Sequence, residues 1–182
     1  YGPCEEPSFS AVTCDFEEEH LCGYQSDVQA NFNWLRQSRQ ESLDFGEGPS
    51  TDATTGTGLG HYMYLGGTRD GLMLCQARLF SPVLSNRGGD GGGGKCLYFG
   101  YNAVGKNVGR LNVYIELQTN TSNGGNMPPR TLLWSLEQEQ GDRWFVARVS
   151  TADYRVDFRL VFEGILGPQS NGNIVKNFKK VL

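Results

Sequence analysis

Cys14-Asp-Phe-Glu-Glu-Glu-His-Leu-Cys22-Gly-Tyr24, with Asn31-Phe-Asn-Trp-Leu35 shortly after it, is the stretch on which the reading of this chain turns. Two cysteines bracket an acidic run, and aromatic residues follow at once. The pattern reads as a small disulfide-closed loop at the start of a β-domain, which requires an oxidising compartment. A ring this short stabilises by about 2.5 kcal/mol through the restriction it places on the unfolded chain.

Downstream the dominant period is two. Tyr154, Val156, Phe158, Leu160 and Phe162 alternate with Arg155, Asp157, Arg159, Val161 and Glu163, which predicts a strand with one face buried and the other mostly wet. Leu111, Val113, Ile115 and Leu117 repeat the pattern. Shorter candidates lie at 61–65, 76–80, 96–101, 132–136 and 143–149, separated by turn formers at 46–60, 85–94, 119–129 and 164–172. No long segment keeps a 3.6-residue apolar stripe, so little helix is expected. The fold class that follows is all-β, a two-sheet antiparallel β-sandwich of the jelly-roll kind. Residues 1–13 read as an N-terminal linker or extension, and 14–182 as one domain.

Composition narrows the function. The 182 residues suffice for one packed core, and the formal charge of −4 disfavours a phosphate backbone as partner. The basic cluster at 176–180 reads as a solvated face. No apolar run reaches the roughly 20 residues of a membrane span. The chain starts at Tyr1 without a charged-then-apolar leader, so it is expected to be a module cut from a longer secreted or membrane-anchored protein.

Five cysteines without a C-x-x-C pair, and two histidines without zinc spacing, favour disulfides over a metal finger. Beyond Cys14 and Cys22, the residues Cys4, Cys75 and Cys96 allow one further bridge and one odd thiol, in any of the alternative pairings. Asn120-Thr-Ser is a glycosylation sequon. Catalysis finds little support: there is no Gly-x-Ser-x-Gly elbow, His20 reads as an exposed loop residue, and His61 sits between tyrosines on a strand. Two glycine–lysine spacings, at 100–106 and 89–95, imitate a phosphate loop but lack the following hydroxyl and helix. Trp34 and Trp144 read as core, Trp134 less so.

Taken in order, the landmarks resemble the MAM domain, the extracellular module of meprin, A5 antigen (neuropilin) and receptor tyrosine phosphatase mu. They are Cys14-Asp-Phe-Glu17, Leu21-Cys-Gly-Tyr24, Asn31-Phe-Asn-Trp-Leu35, Gly48-Pro-Ser-Thr-Asp52, His61-Tyr-Met-Tyr64, Ala77-Arg-Leu79, Cys96-Leu-Tyr-Phe99, Gly109-Arg-Leu-Asn-Val-Tyr114, Gly141-Asp-Arg-Trp144 and Val161-Phe-Glu-Gly-Ile165. The resemblance implies a non-catalytic, disulfide-bonded glycoprotein module at the cell surface or secreted. It would serve adhesion or receptor–ligand protein binding, with homophilic or oligomerising contacts among its uses.

The resemblance also nominates Glu17 and Asp52 as ligands of one structural calcium ion; the preferred competing reading of the acidic run is a solvated loop. Two departures from the family stand out. The closing cysteine is missing, and Asn177 stands near where an aspartate is expected; Cys4 and Cys75 are additional. Two other function classes fit the same sequence: a calcium-dependent glycan-binding jelly roll, and an accessory domain of an extracellular protease. No cofactor is required by any of them except the lectin's calcium.

Overall fold

The computed structural model describes residues 14–41, 48–65, 74–84, 96–106, 108–118, 128–151, 154, 156–166 and 171–181, with the backbone alone for 106 and 171–181. Among the described residues ten strands, all paired antiparallel, form two five-stranded sheets, as the alternating pattern predicts. In chain order they are β1 (Gln25–Ser26), β2 (Leu35–Ser38), β3 (His61–Leu65), β4 (Cys75–Phe80), β5 (Cys96–Lys106), β6 (Arg110–Leu117), β7 (Arg130–Leu136), β8 (Gly141–Ser150), β9 (Phe158–Leu166) and β10 (Asn171–Val181). The first sheet runs β1-β4-β9-β6-β7 and the second β2-β3-β10-β5-β8.

Alternation sorts the side chains. On the first sheet Leu79 pairs with Phe162, Phe162 with Val113 and Val113 with Trp134, a lateral row that faces inward. The second sheet answers with Met63, Leu65, Leu97, Phe99 and Ala103, all buried. Phe99 meets Phe162 across the gap with ring centroids 5.7 Å apart, and Trp134 at 5.1 Å, both edge-on. Each such fully buried large side chain contributes about 1.5–3 kcal/mol of transfer free energy.

Three expectations are corrected. The alternation at 154–162 predicts a strand from Tyr154, but β9 begins at Phe158. The backbone before it is engaged elsewhere: Tyr154 N–H donates to Thr151 O (3.2 Å), and Asp157 O accepts from Gln118 N–H (2.8 Å). The run 164–172 reads as a turn, yet 164–166 continue β9 and 171–181 form β10 at the centre of the second sheet. The basic cluster at 176–180 thus belongs to a central strand. Gly164 marks a close approach of the other sheet within β9. Trp144 lies on the outer face of the second sheet against Tyr62 (6.0 Å), while Trp134 enters the core.

Gly164 shows what close approach means. A Cβ on it would overlap Leu65 Cδ2 and stand 3.0 Å from Trp34 Cζ2, both reaching over from the second sheet. The sheets meet at this spacing only because position 164 carries no side chain. Gly164→Ala is therefore expected to lower stability by about 1–3 kcal/mol, the usual cost of overpacking. Urea denaturation monitored by tryptophan fluorescence measures it, and an unchanged midpoint would contradict the packing described.

Candidate functional site

The opening loop is locked by the Cys14–Cys22 disulfide, with Cα atoms 5.9 Å apart. Phe16 is fully buried and packs edge-on against Tyr24 (5.8 Å). Arg36 on β2 fastens the loop by donating to Phe16 O (2.7 Å) and Glu17 O (2.6 Å). The acidic run therefore divides. Glu18, Glu19 and His20 are exposed, as expected of a solvated loop, whereas Glu17 turns back to accept the His61 backbone N–H at 3.1–3.2 Å. His61 carries Glu17 at 3.5 Å on Nδ1 and Glu41 at 3.2 Å on Nε2.

Asp52 is 2% exposed. Its Oδ2 accepts from the N–H groups of Thr54 and Thr55, both at 2.6 Å. Its Oδ1 accepts from Thr55 Oγ1 (2.5 Å) and Thr57 N–H (3.1 Å). A carboxylate offers about four acceptor positions, and all are occupied. A Cβ on Gly60 would overlap this carboxylate, so the glycine is what admits it. Glu17 and Asp52 thus close on the same short segment, 60–61, but each is engaged by N–H or O–H donors. Asp52 is thus filled while Glu17 takes one shared N–H, and the described residues contain no group of three or more His, Cys, Asp or Glu suited to a metal. The Asn177 side chain lies outside the described residues.

Cys96 is disulfide-bonded and Cys75 is a buried free thiol. Cys4, Asn120, the linker 1–13 and the spacing at 89–95 lie outside the described residues. The other glycine–lysine spacing, 100–106, is extended strand within β5, with no helix N-terminus to receive phosphate.

The outward face of the first sheet holds what sequence reading missed. Glu116 is completely buried, accepting Arg130 Nε (2.6 Å) on one oxygen and Arg159 Nε (2.5 Å) on the other. Both guanidinium groups also cover the Phe80 ring, at 5.6 and 4.1 Å from its centroid. Glu163 accepts Gln76 Nε2 (2.7 Å), Arg78 Nε (2.8 Å), Asn112 Nδ2 (3.3 Å) and Tyr114 OH (3.2 Å). Arg78 reaches on to Asp27 (3.1 Å). Burial works against the charge on Arg78, but Glu163 and Asp27 outweigh it and raise its pKa.

Between these two polar rows runs an apolar one. Phe80 pairs with Val161, Val161 with Tyr114 and Tyr114 with Leu132. Val161 is fully buried under this layer, although the alternation predicts a mostly wet face. The legible signal was arginine and glutamate recurring at period two on neighbouring strands, which pairs charges across a sheet.

Burial raises the Asp52 pKa, but the Thr55, Thr57 and Thr54 donors more than offset it, leaving the value below the ordinary 3.8. A lowered carboxylate contributes stability that is complete above the unfolded pKa and is lost as pH falls through the folded one. Asp52→Asn is thus expected to cost about 2–3 kcal/mol near neutrality. Its deficit against the parent should shrink below pH 3.8. Urea midpoints at neutral and acid pH check this, and a pH-independent deficit would contradict it.

The family model described as MAM domain, meprin/A5/mu, matches residues 14–176. The chain is 36% identical over 168 residues to MAM domain-containing glycosylphosphatidylinositol anchor protein 2 of Mus musculus, covering 88% of the chain. It is 33% identical over 175 residues, 94% of the chain, to anchor protein 1 of Homo sapiens. The chain spans about 17% of the length of each relative. A cleaved adhesin domain of Lys-gingipain from Porphyromonas gingivalis superposes with a TM-score of 0.55 at 13% identity, over 95% of this chain and 98% of that one, which shows the sandwich fold. No helix among the described residues is long and apolar enough to cross a membrane. Oxidised cysteines and relatives named for a lipid anchor give the chain an extracellular, cell-surface address. Landmarks, topology and matched span agree, and the chain belongs to the MAM domain family.

Proposed function

We propose that this chain is a non-catalytic recognition module that docks an extracellular protein on the outward face of its first sheet, without a cofactor. The observation that carries the reading is the exposed Leu132 beside Tyr114, at the open end of the row that starts at Phe80, between two rows of ion-paired side chains. Protein interfaces have this composition, an apolar centre with a polar rim. Here the long side chains already sit in place, which reduces the ordering cost of docking. Leu132 is 51% exposed at the end of the row and offers the partner a contact. Arg110 and Glu137, paired at the margin (2.5 Å), form part of the rim. Family membership over residues 14–176 supports the same reading. Self-association belongs to it as well.

The lectin reading fares less well on this face. Sugar platforms present an open aromatic ring, and the Phe80 ring is covered by two guanidinium groups.

The test is a binding screen of the tetramerised chain against arrayed extracellular ectodomains, in parallel with a glycan array with and without chelator. An ectodomain hit is expected, weakened about tenfold by Leu132→Asp. No ectodomain hit together with a chelator-sensitive sugar hit would replace this reading with the lectin.

A further inference from the structure

Two arginines on the outward face of the first sheet are held in an arrangement that their own ion pairs leave incomplete. Glu116 on β6 stands opposite Arg130 on β7 and Arg159 on β9. Each arginine spends its Nε on one oxygen of that single carboxylate, at 2.6 and 2.5 Å. Both guanidinium groups also rest on one ring, that of Phe80. Sharing a carboxylate and a ring, the two cations are kept side by side, where like charges repel.

Glu116 is fully buried beneath them, whereas the Arg130 and Arg159 side chains keep 18% and 30% of their surface in solvent. Their Nη groups have no acceptor among the described residues and are not buried, so these donors face outward. Two arginines against one glutamate leave an excess of positive charge in this trio. The neighbouring carboxylates are committed elsewhere. Asp27 accepts from Arg78 (3.1 Å) and from Gln29 N–H (2.9 Å), and Glu163 is met by Arg78, Gln76, Asn112 and Tyr114. An acceptor that would complete the trio is not found among the described residues.

The rest of the face sets what kind of acceptor fits. Arg78, Arg110, Arg130 and Arg159 are matched by Asp27, Glu116, Glu137 and Glu163, so the face as a whole is neutral. A neutral face exerts little long-range field, and the capture of a polyanion depends on such a field. This disfavours a sulfated or phosphorylated chain and favours a single carboxylate delivered by short-range fit.

Leu132 adds a further constraint. It lies two residues from Arg130 on β7, and the two stand opposite Tyr114 and Glu116, neighbours on the outward side of β6. The exposed apolar contact is therefore about 7 Å from the anion site along the strand. An acid and an apolar residue two positions apart in an extended segment have the same spacing and point to the same side.

We propose that Arg130 and Arg159 are the anchor of the docking face: their Nη groups receive the side-chain carboxylate of an acid–x–apolar segment of the partner protein, whose apolar residue covers Leu132. This deepens the recognition reading and rests on it. Guanidinium forks bind carboxylates through charge-assisted, directional hydrogen bonds. Here Glu116 and Phe80 hold the forks in place before the acid arrives, which lowers the ordering cost.

NMR titration of the chain with the peptide acetyl-Glu-Gly-Leu-amide, followed at the arginine Nε–H resonances, tests it. Saturable shifts are expected at Arg130 and Arg159, and none at Arg143 on the other sheet. The isosteric peptide acetyl-Gln-Gly-Leu-amide should bind about tenfold more weakly, since its amide carries no charge. Arg159→Gln should weaken the Glu peptide by a similar factor. Should circular dichroism show that variant unfolded, the comparison of the two peptides on the parent decides alone. Equal affinity for both peptides, or no response at Arg130 and Arg159 at millimolar peptide, would overturn the proposal. A saturable response to a heparin tetrasaccharide alone would also overturn it and assign the site to sulfate. A chain that captures an ectodomain through Leu132 with no dependence on Arg159 would sink only the anchor. One that binds neither ectodomain nor peptide would sink both readings.

Discussion

The contact between Phe99 of the second sheet and Phe162 of the first sets the architecture. Two antiparallel sheets gain stability from each other only where their inner rows interdigitate. Here that requires a large ring at 99 and 162, and the absence of any side chain at 164 so that Leu65 and Trp34 can close the gap. The opening loop depends on the same core. Its Phe16 is buried in it, and the disulfide and Arg36 hold the loop in the position that keeps it there. Glu17 then reaches the start of β3, tying loop and sheet together.

On the opposite side of the first sheet, polar chemistry takes the place of a covering layer. Burying a carboxylate is unfavourable unless its lone pairs are met by charged donors in good geometry. Glu116 has an arginine on each oxygen, and Glu163 has four donors. The consequence is functional as much as energetic. Side chains of this length would ordinarily sample many rotamers, and each would have to be ordered on binding at about 0.5–1.5 kcal/mol. With the guanidinium groups fixed by two carboxylates and a ring, the module presents a surface already shaped.

Much of this was legible in the amino-acid sequence, for particular reasons. Leu111, Val113, Ile115 and Leu117 declared their inward face because strand period and burial coincide, and β6 falls there. The Cys14–Cys22 ring was legible because the two thiols bracket so short a stretch. β10 was not, since its apolar residues are few and glycines surround its start; its place between β3 and β5 comes from pairing distant in the chain. Asp52 was noticed as a candidate cation ligand, not as the acceptor that orders a turn. Its position in the sequence indicates a carboxylate that matters, but only the fold reveals the threonine N–H groups that converge on it. The charged face was hidden for a similar reason: a Glu and an Arg at alternate positions look solvated until neighbouring strands set them opposite each other.

The claim at the centre of this account is that the outward face is locked before any partner arrives. Arginine Nε–H exchange, followed by NMR on the free chain, tests it most directly. The Nε–H groups of Arg78, Arg130 and Arg159 should exchange far more slowly than that of Arg143, whose side chain is exposed at the sheet edge. Exchange at the same rate for all four would mean that the surface is unformed until it binds, and would contradict the account.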